Sequence, residues 1–220
     1  MEMEEIVIQN ELKKEVINLL SYFSELTASQ KNAIADQLNK VIPEPAIEII
    51  LSNINTYRNL GEKAEEEEFL LLALVGKHYI LKDGTNTDST YFKALLSKYT
   101  KNREEELETI DTLIYCTSQS KFMVYRYGDF NNDQHLIKDI SLRYLGFPRN
   151  EYEQYVKFIY EKALEITDAD TFINQRIDFL KALLKYKEIY SRSIYRQYYL
   201  NSAKKNIEYS LKQIEKGWQF

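Results

Sequence analysis

Two short polar runs hold the side chains best suited to ligand chemistry. The first, Asp83 to Asp88 (DGTNTD), sets Asp83, Asn86, Thr87 and Asp88 just ahead of an apolar-periodic segment. The second is Gly128 to Asp133 (GDFNND). There Asp129, Asn131 and Asp133 fall at i, i+2 and i+4, the spacing that opens an oxygen-lined calcium loop. The pattern then stops. Its sixth position is Gln134 rather than glycine, and its twelfth is Ile140 rather than a bidentate glutamate. Asp, Asn and Thr also close turns and cap helices. The two runs are therefore expected to be turns and N-caps. A weak divalent-cation site built from Asp83, Asp88, Asp129 and Asp133 is the alternative; no other cofactor is expected.

The remaining catalytic inventory is short. His78 and His135 are the only histidines, and Cys116 is the only cysteine. His78 falls in an apolar helical run and is expected to be buried or interfacial. His135 falls in the first turn of a helix. No Glu-x-x-His pair, Walker loop, GxGxxG, GxSxG or HExxH occurs. A lone cysteine forms no intramolecular disulfide and fits a reducing cytoplasm. Met1 to Asn10 is acidic and lacks the basic and apolar regions of a signal peptide. The longest apolar run, Phe69 to Val75, is too short to span a bilayer. An enzyme is not expected.

The elements that carry these residues read as helices. Hydrophobic residues are 44% of the chain, yet there are only six Gly and three Pro. Long helices with short links need few turn residues, whereas a β-sandwich needs many. Leu12, Val16, Leu19, Leu20 and Phe23 make a helical stripe, as do Ile47, Ile50, Leu51, Ile54 and Tyr57. Ser29 is the expected cap of the helix between them. Pro43 and Pro45 suit the first turn of the third helix, and Gly61 its end. Further helices are expected from Glu65, from Ser89 or Asp88, over Arg103–Tyr127, before Leu145-Gly146, after Asn150, and from Asp170 or Thr171 to about Lys216. Uninterrupted helix over the last tract would reach about 68 Å, longer than such a domain. A break near Lys187 or Ser191–Ser193 is expected, or a protrusion that pairs with a second copy. The fold class is thus an all-α multi-helix bundle of about eight to ten helices.

Phe69–Tyr99 and Ile114–Tyr144 align at an offset of 45, matching Asn86 with Asn131, Asp88 with Asp133, Lys93 with Lys138 and Tyr99 with Tyr144. The alignment suggests a duplicated helical hairpin. Two stretches, FLLLALVGKHYILKDGTNTDSTYFKALLSKY and YGDFNNDQHLIKDISLRYLGFPRNEYEQYV, resemble the tellurite-resistance TerB-like helical domain over residues 69–156. The resemblance implies a metal-binding acidic surface in which Asp83 of Asp83-Gly84 takes part. The family's later acidic residue is Thr90 here. In the second stretch the order is Gly128-Asp129, and Gln134 and His135 stand where an acid is expected.

Charge is unevenly spread. Residues 171–220 hold ten Lys/Arg and four Asp/Glu, while the chain as a whole carries −5. This divides it into an acidic helical bundle (1–170) and a basic, Tyr-rich C-terminal helical extension (171–220) packed on the same domain. Three readings compete: the extension neutralises the acidic body, docks a protein partner, or binds nucleic-acid backbone with Tyr rings stacking on bases. Tyr186, Tyr190, Arg192, Tyr195, Arg196 and Tyr199 are the candidate partner-binding residues. The acidic total disfavours phosphate. The expected function is non-catalytic protein binding, as in a toxin-neutralising immunity protein or an adaptor. A TerB-like cation-binding stress-response module is the runner-up.

Overall fold

A computed structural model describes residues 2–79, 90–117, 130–185 and 189–217 of the chain. These residues form ten α-helices and no strand, as the periodicity predicts. The chain divides into two compact units, Met1–Cys116 and Thr117–Phe220. The division falls 54 residues earlier than the charge pattern suggested, counting from residue 170 back to Cys116. The C-terminal tract is therefore not an extension but part of a unit that begins well before it.

The first unit contains α1 (Glu2–Leu19), α2 (Ala28–Val41), α3 (Glu44–Leu60), α4 (Glu67–Gly76), α5 (Thr90–Ser97) and α6 (Glu104–Tyr115). In α4 every residue from Phe69 to Gly76 is buried. A helix that is apolar on all sides needs neighbours on all sides, and α1, α3 and α6 supply them. Its Gly76 is required by close approach: a Cβ there would lie 2.4 Å from the Phe92 ring and 2.7 Å from Ile114 Cδ1. The α2 cap is Thr27 rather than Ser29. Its hydroxyl accepts from Gln30 N at 3.3 Å, and Gln30 Oε1 accepts from Thr27 N at 2.9 Å. Gly61 ends α3 in the left-handed region, at φ 70°.

The second unit contains α7 (Asn132–Leu142), a 3-10 turn (Arg143–Gly146), α8 (Arg149–Ala163), α9 (Ala169–Lys185) and α10 (Ser193–Glu215). The expected break in the C-terminal tract is present, between Lys185 and Ser193. The α10 helix lies on the Arg143–Gly146 turn and against α9. Gly146 permits that contact, since a Cβ there would meet Tyr199 Cβ at 2.6 Å and the Tyr199 carbonyl oxygen at 2.9 Å. Asn206, 3% exposed, seals the contact by donating to the Leu145 and Phe147 carbonyls at 2.8 and 2.9 Å. Without it those carbonyls would be desolvated with no donor, at about 1–3 kcal/mol each.

Two expectations about helix limits fail. The helix expected over Arg103–Tyr127 ends at Tyr115. Asn150 does not cap α8, which starts after Pro148. The proposed repeat is reproduced only in its second half: α5 and α7 fall in register, but α4 is aligned with a segment that leaves helix after Tyr115. The far end of the helix expected over Arg103–Tyr127, residues 118–127, lies outside the described residues.

Candidate functional site

A polar cluster lies where α7 meets the start of α10. Asn131 caps α7, accepting from Gln134 N at 2.9 Å while Gln134 Oε1 accepts from Asn131 N at 2.9 Å. This reciprocal box fixes the first turn of α7, and with it the direction of His135. One turn on, Lys138 and Asp139 are buried at 1% and 0% exposure. Helical spacing sets His135, Lys138 and Asp139 at i, i+3 and i+4, so they share one face.

That face meets the segment Ile189–Arg192. No side chain of its own segment caps α10. The Asp139 carboxylate of α7 instead holds the two residues that lead into the helix, accepting from Ser191 N at 2.9 Å and Arg192 N at 2.6 Å. A carboxylate at a helix N-terminus meets the positive end of the helix dipole. Burial nevertheless dominates its titration, and pushes the Asp139 carboxyl up to about 6. The two backbone bonds and the charges of Lys138 and Arg192 oppose the rise.

The Ser191 hydroxyl lies between two basic side chains, 3.1 Å from Lys138 Nζ and 2.9 Å from His135 Nδ1. Burial, then the charges of Lys138 and Arg192, hold the His135 imidazole below the usual histidine range. Arg192 donates to the Asn132 carbonyl at 2.9 Å and closely to the Asn132 side-chain oxygen. Arg196 donates to the Ser191 carbonyl at 2.8 Å. A serine is thus held by backbone and side chain alike, beside one imidazole and one lysine.

The residues singled out for partner binding divide. Tyr190 and Tyr195 are fully buried, at 0% exposure, so they are not surface residues. Tyr190 donates to the Leu142 carbonyl at 3.1 Å, and the Tyr190 and Tyr195 rings pack 6.3 Å apart. Tyr190 precedes α10, and Tyr195 lies on its buried face with Ala203, Asn206 and Ile207. Arg192 and Arg196 are half-buried and bonded to backbone as above. Tyr199 is half-buried over Gly146. Tyr186 lies outside the described residues. The exposed ring is Tyr198, at 59%, which the sequence placed in the basic tract without singling it out.

Of the expected cation ligands, Asp83, Asp88 and Asp129 lie outside the described residues. Asp133 is 6% exposed in the first turn of α7 and accepts from Asn132 Nδ2 at 3.0 Å. Among the described residues no group of three or more His, Cys, Asp or Glu side chains is arranged to hold a metal ion. Lys138, Asp139 and Ser191 were not anticipated as a site. The one signal was the pair of charges at Lys138-Asp139 inside an apolar stripe that includes Ile137 and Ile140.

The charge division survives in a new form. Residues 1–116 hold 12 Lys/Arg and 21 Asp/Glu, and residues 117–220 hold 17 and 13. Cations of the first unit pair within it: Lys13 with Asp36 at 2.6 Å, Arg58 with Glu15 at 2.6 Å, and Arg103 with Glu25 at 3.0 Å. In α10, Lys204, Lys205 and Lys212 are exposed and form no ion pair among the described residues.

No protein family, curated protein or solved structure matches the chain. Among the described residues no helix is long and apolar enough to cross a membrane.

Proposed function

We propose that this chain binds a protein partner with an acidic surface through the outward face of α10. Tyr198, Asn201, Lys205 and Lys212 follow at steps of three, four and seven, so they form one solvent-facing stripe; Lys204 adjoins it. The observation that carries the reading is the 59% exposure of Tyr198 beside lysines that form no ion pair among the described residues. Tyrosine offers a large contact area at low entropic cost and is favoured at interface hot spots. Unpaired lysines steer an acidic partner at long range. Glu208 interrupts the stripe, so it is not a continuous track for a phosphate backbone. This favours protein over nucleic acid. A toxin-neutralising immunity protein or an adaptor would use such a face.

The test is affinity capture from native cells with the unchanged protein and with Tyr198→Ala/Lys205→Glu, followed by reconstitution with the captured protein. A stoichiometric acidic partner is expected, retained by the unchanged protein and lost by the variant and at high salt. Equal capture by both proteins, or capture of RNA or DNA alone, refutes the reading.

A further inference from the structure

We propose that Ser191 is the nucleophile of an acyl-transfer site, with His135 as its base and Lys138 anchoring its oxygen. The inference stands apart from the partner-binding face and rests on the two contacts of the Ser191 hydroxyl. A lysine ammonium has donors only, so Lys138 Nζ donates to Ser191 Oγ at 3.1 Å. The serine hydrogen can then go to the other contact, His135 Nδ1 at 2.9 Å. In the tautomer taken here, with the imidazole hydrogen on Nε2, Nδ1 accepts that proton. Because burial and two neighbouring cations hold His135 below its ordinary range, the ring is neutral at pH 7.

The backbone around Ser191 is clamped on both sides. Asp139 accepts from its N–H at 2.9 Å, and Arg196 donates to its carbonyl at 2.8 Å. A positioned nucleophile avoids the entropic cost of finding its geometry. Two residues on, the N–H groups of Ser193 and Ile194 open the 23-residue α10, and neither has an acceptor among the described residues. Developing negative charge is assigned to this open helix end, where the helix dipole favours it. Ser191 is half-buried rather than sealed in the core.

Ser191 Oγ bonds to the carbonyl carbon of an activated carboxylic ester while its proton passes to His135 Nδ1. The oxyanion rests on the Ser193 and Ile194 N–H groups. Collapse expels the alcohol or phenol, which takes the proton from His135, and leaves acyl-Ser191. Water then bonds to the acyl carbon and gives a proton to His135; the C–Oγ bond breaks, Ser191 Oγ takes that proton back, and the carboxylic acid leaves.

The whole protein is treated with p-nitrophenyl acetate and with a fluorophosphonate, and adducts are mapped by peptide mass spectrometry. Modification is expected at Ser191 and not at exposed Ser193, which no imidazole contacts. It should disappear in urea and fall about a hundredfold in His135→Gln, the scale of a lost general base. An unmodified Ser191, labelling no faster than at Ser193, or undiminished labelling in a natively helical His135→Gln protein would overturn the proposal and leave the cluster as a helix-joining lock. If His135→Gln does not fold, the unchanged protein decides alone: labelling lost in urea supports the assignment, and equal labelling in urea defeats it.

Discussion

Arg176 donates to the Tyr144 hydroxyl at 2.8 Å in the core of the second unit, where Arg176 is only 1% exposed. A second guanidinium nitrogen reaches the Tyr152 hydroxyl at 3.3 Å, and the Tyr152 hydroxyl in turn meets Ser210 Oγ at 2.7 Å. Arg176 forms no ion pair among the described residues, and its Nε is buried with no acceptor. Phenol oxygens and the faces of Tyr144 and Phe179, each 5.6 Å away, take the place of a carboxylate. Neutral acceptors repay less of the desolvation of a charge than an anion does.

Arg176→Met should therefore raise the stability of this unit, by about 1 kcal/mol or more. It removes a buried charge and leaves the Tyr152–Ser210 bond intact. Arg176→Lys should lower stability instead, because a shorter point charge loses the paired contact while the burial penalty stays. Urea unfolding of both variants checks the two signs. A destabilised Arg176→Met protein would mean that the tyrosine contacts outweigh the buried charge.

Gly146→Ala tests how tightly α10 is seated. The added Cβ would meet the Tyr199 carbonyl oxygen at 2.9 Å and Cα at 3.0 Å. Those are backbone atoms, so the helix itself must shift, rather than one side chain. A loss of about 1–3 kcal/mol is expected, typical of overpacking. The Asn206 bonds to Leu145 and Phe147 should weaken in parallel, visible as faster amide exchange across the Arg143–Gly146 turn. Gly61→Ala is the control: nothing lies within 4 Å of its Cβ, but its φ is 70°. Its cost of about 1 kcal/mol should come from backbone strain alone.

Much of the helical order was legible because stripes such as Leu12–Val16–Leu19 and Ile47–Ile50–Ile54 report burial directly, and each of those residues is buried. The break before Ser193 followed from length alone. Caps were less legible: Thr27 and Ser29 are both hydroxyl residues, and only the reciprocal bond with Gln30 distinguishes them. The Tyr-rich tract misled for a different reason. Tyrosine is amphipathic, so sequence does not separate Tyr195, fully buried, from Tyr198, 59% exposed. The Lys138, Asp139 and Ser191 cluster is tertiary, with partners 53 and 52 positions apart. No local pattern encodes that distance. The division at Cys116 was hidden because charge marked a surface property and not a core boundary.

The titration of Asp139 gives the last prediction. Its folded carboxyl is raised from 3.8 to about 6 by burial. Between about pH 4 and 6 the folded protein holds this proton while the unfolded chain has lost it. Its contribution to stability therefore falls as pH rises through that window. Asp139→Asn lacks the titration. The stability of the unchanged protein minus that of Asp139→Asn should be larger at pH 4 than at pH 7, by on the order of 1–3 kcal/mol. Glu25, Glu104, Glu106 and Asp168 are all held below their ordinary range, the first three by hydrogen bonds from Arg103 or Lys93 and Asp168 by those from Thr171. They give the opposite slope, but equally in both proteins, and cancel in the difference. His135 faces the same cluster, together with Lys138 and Arg192, so the comparison is repeated in a His135→Gln background. Urea unfolding at each pH supplies the numbers. A difference that grows with pH would show that the bonds from Ser191 and Arg192 to the carboxylate outweigh its burial, reversing the sign derived from the site.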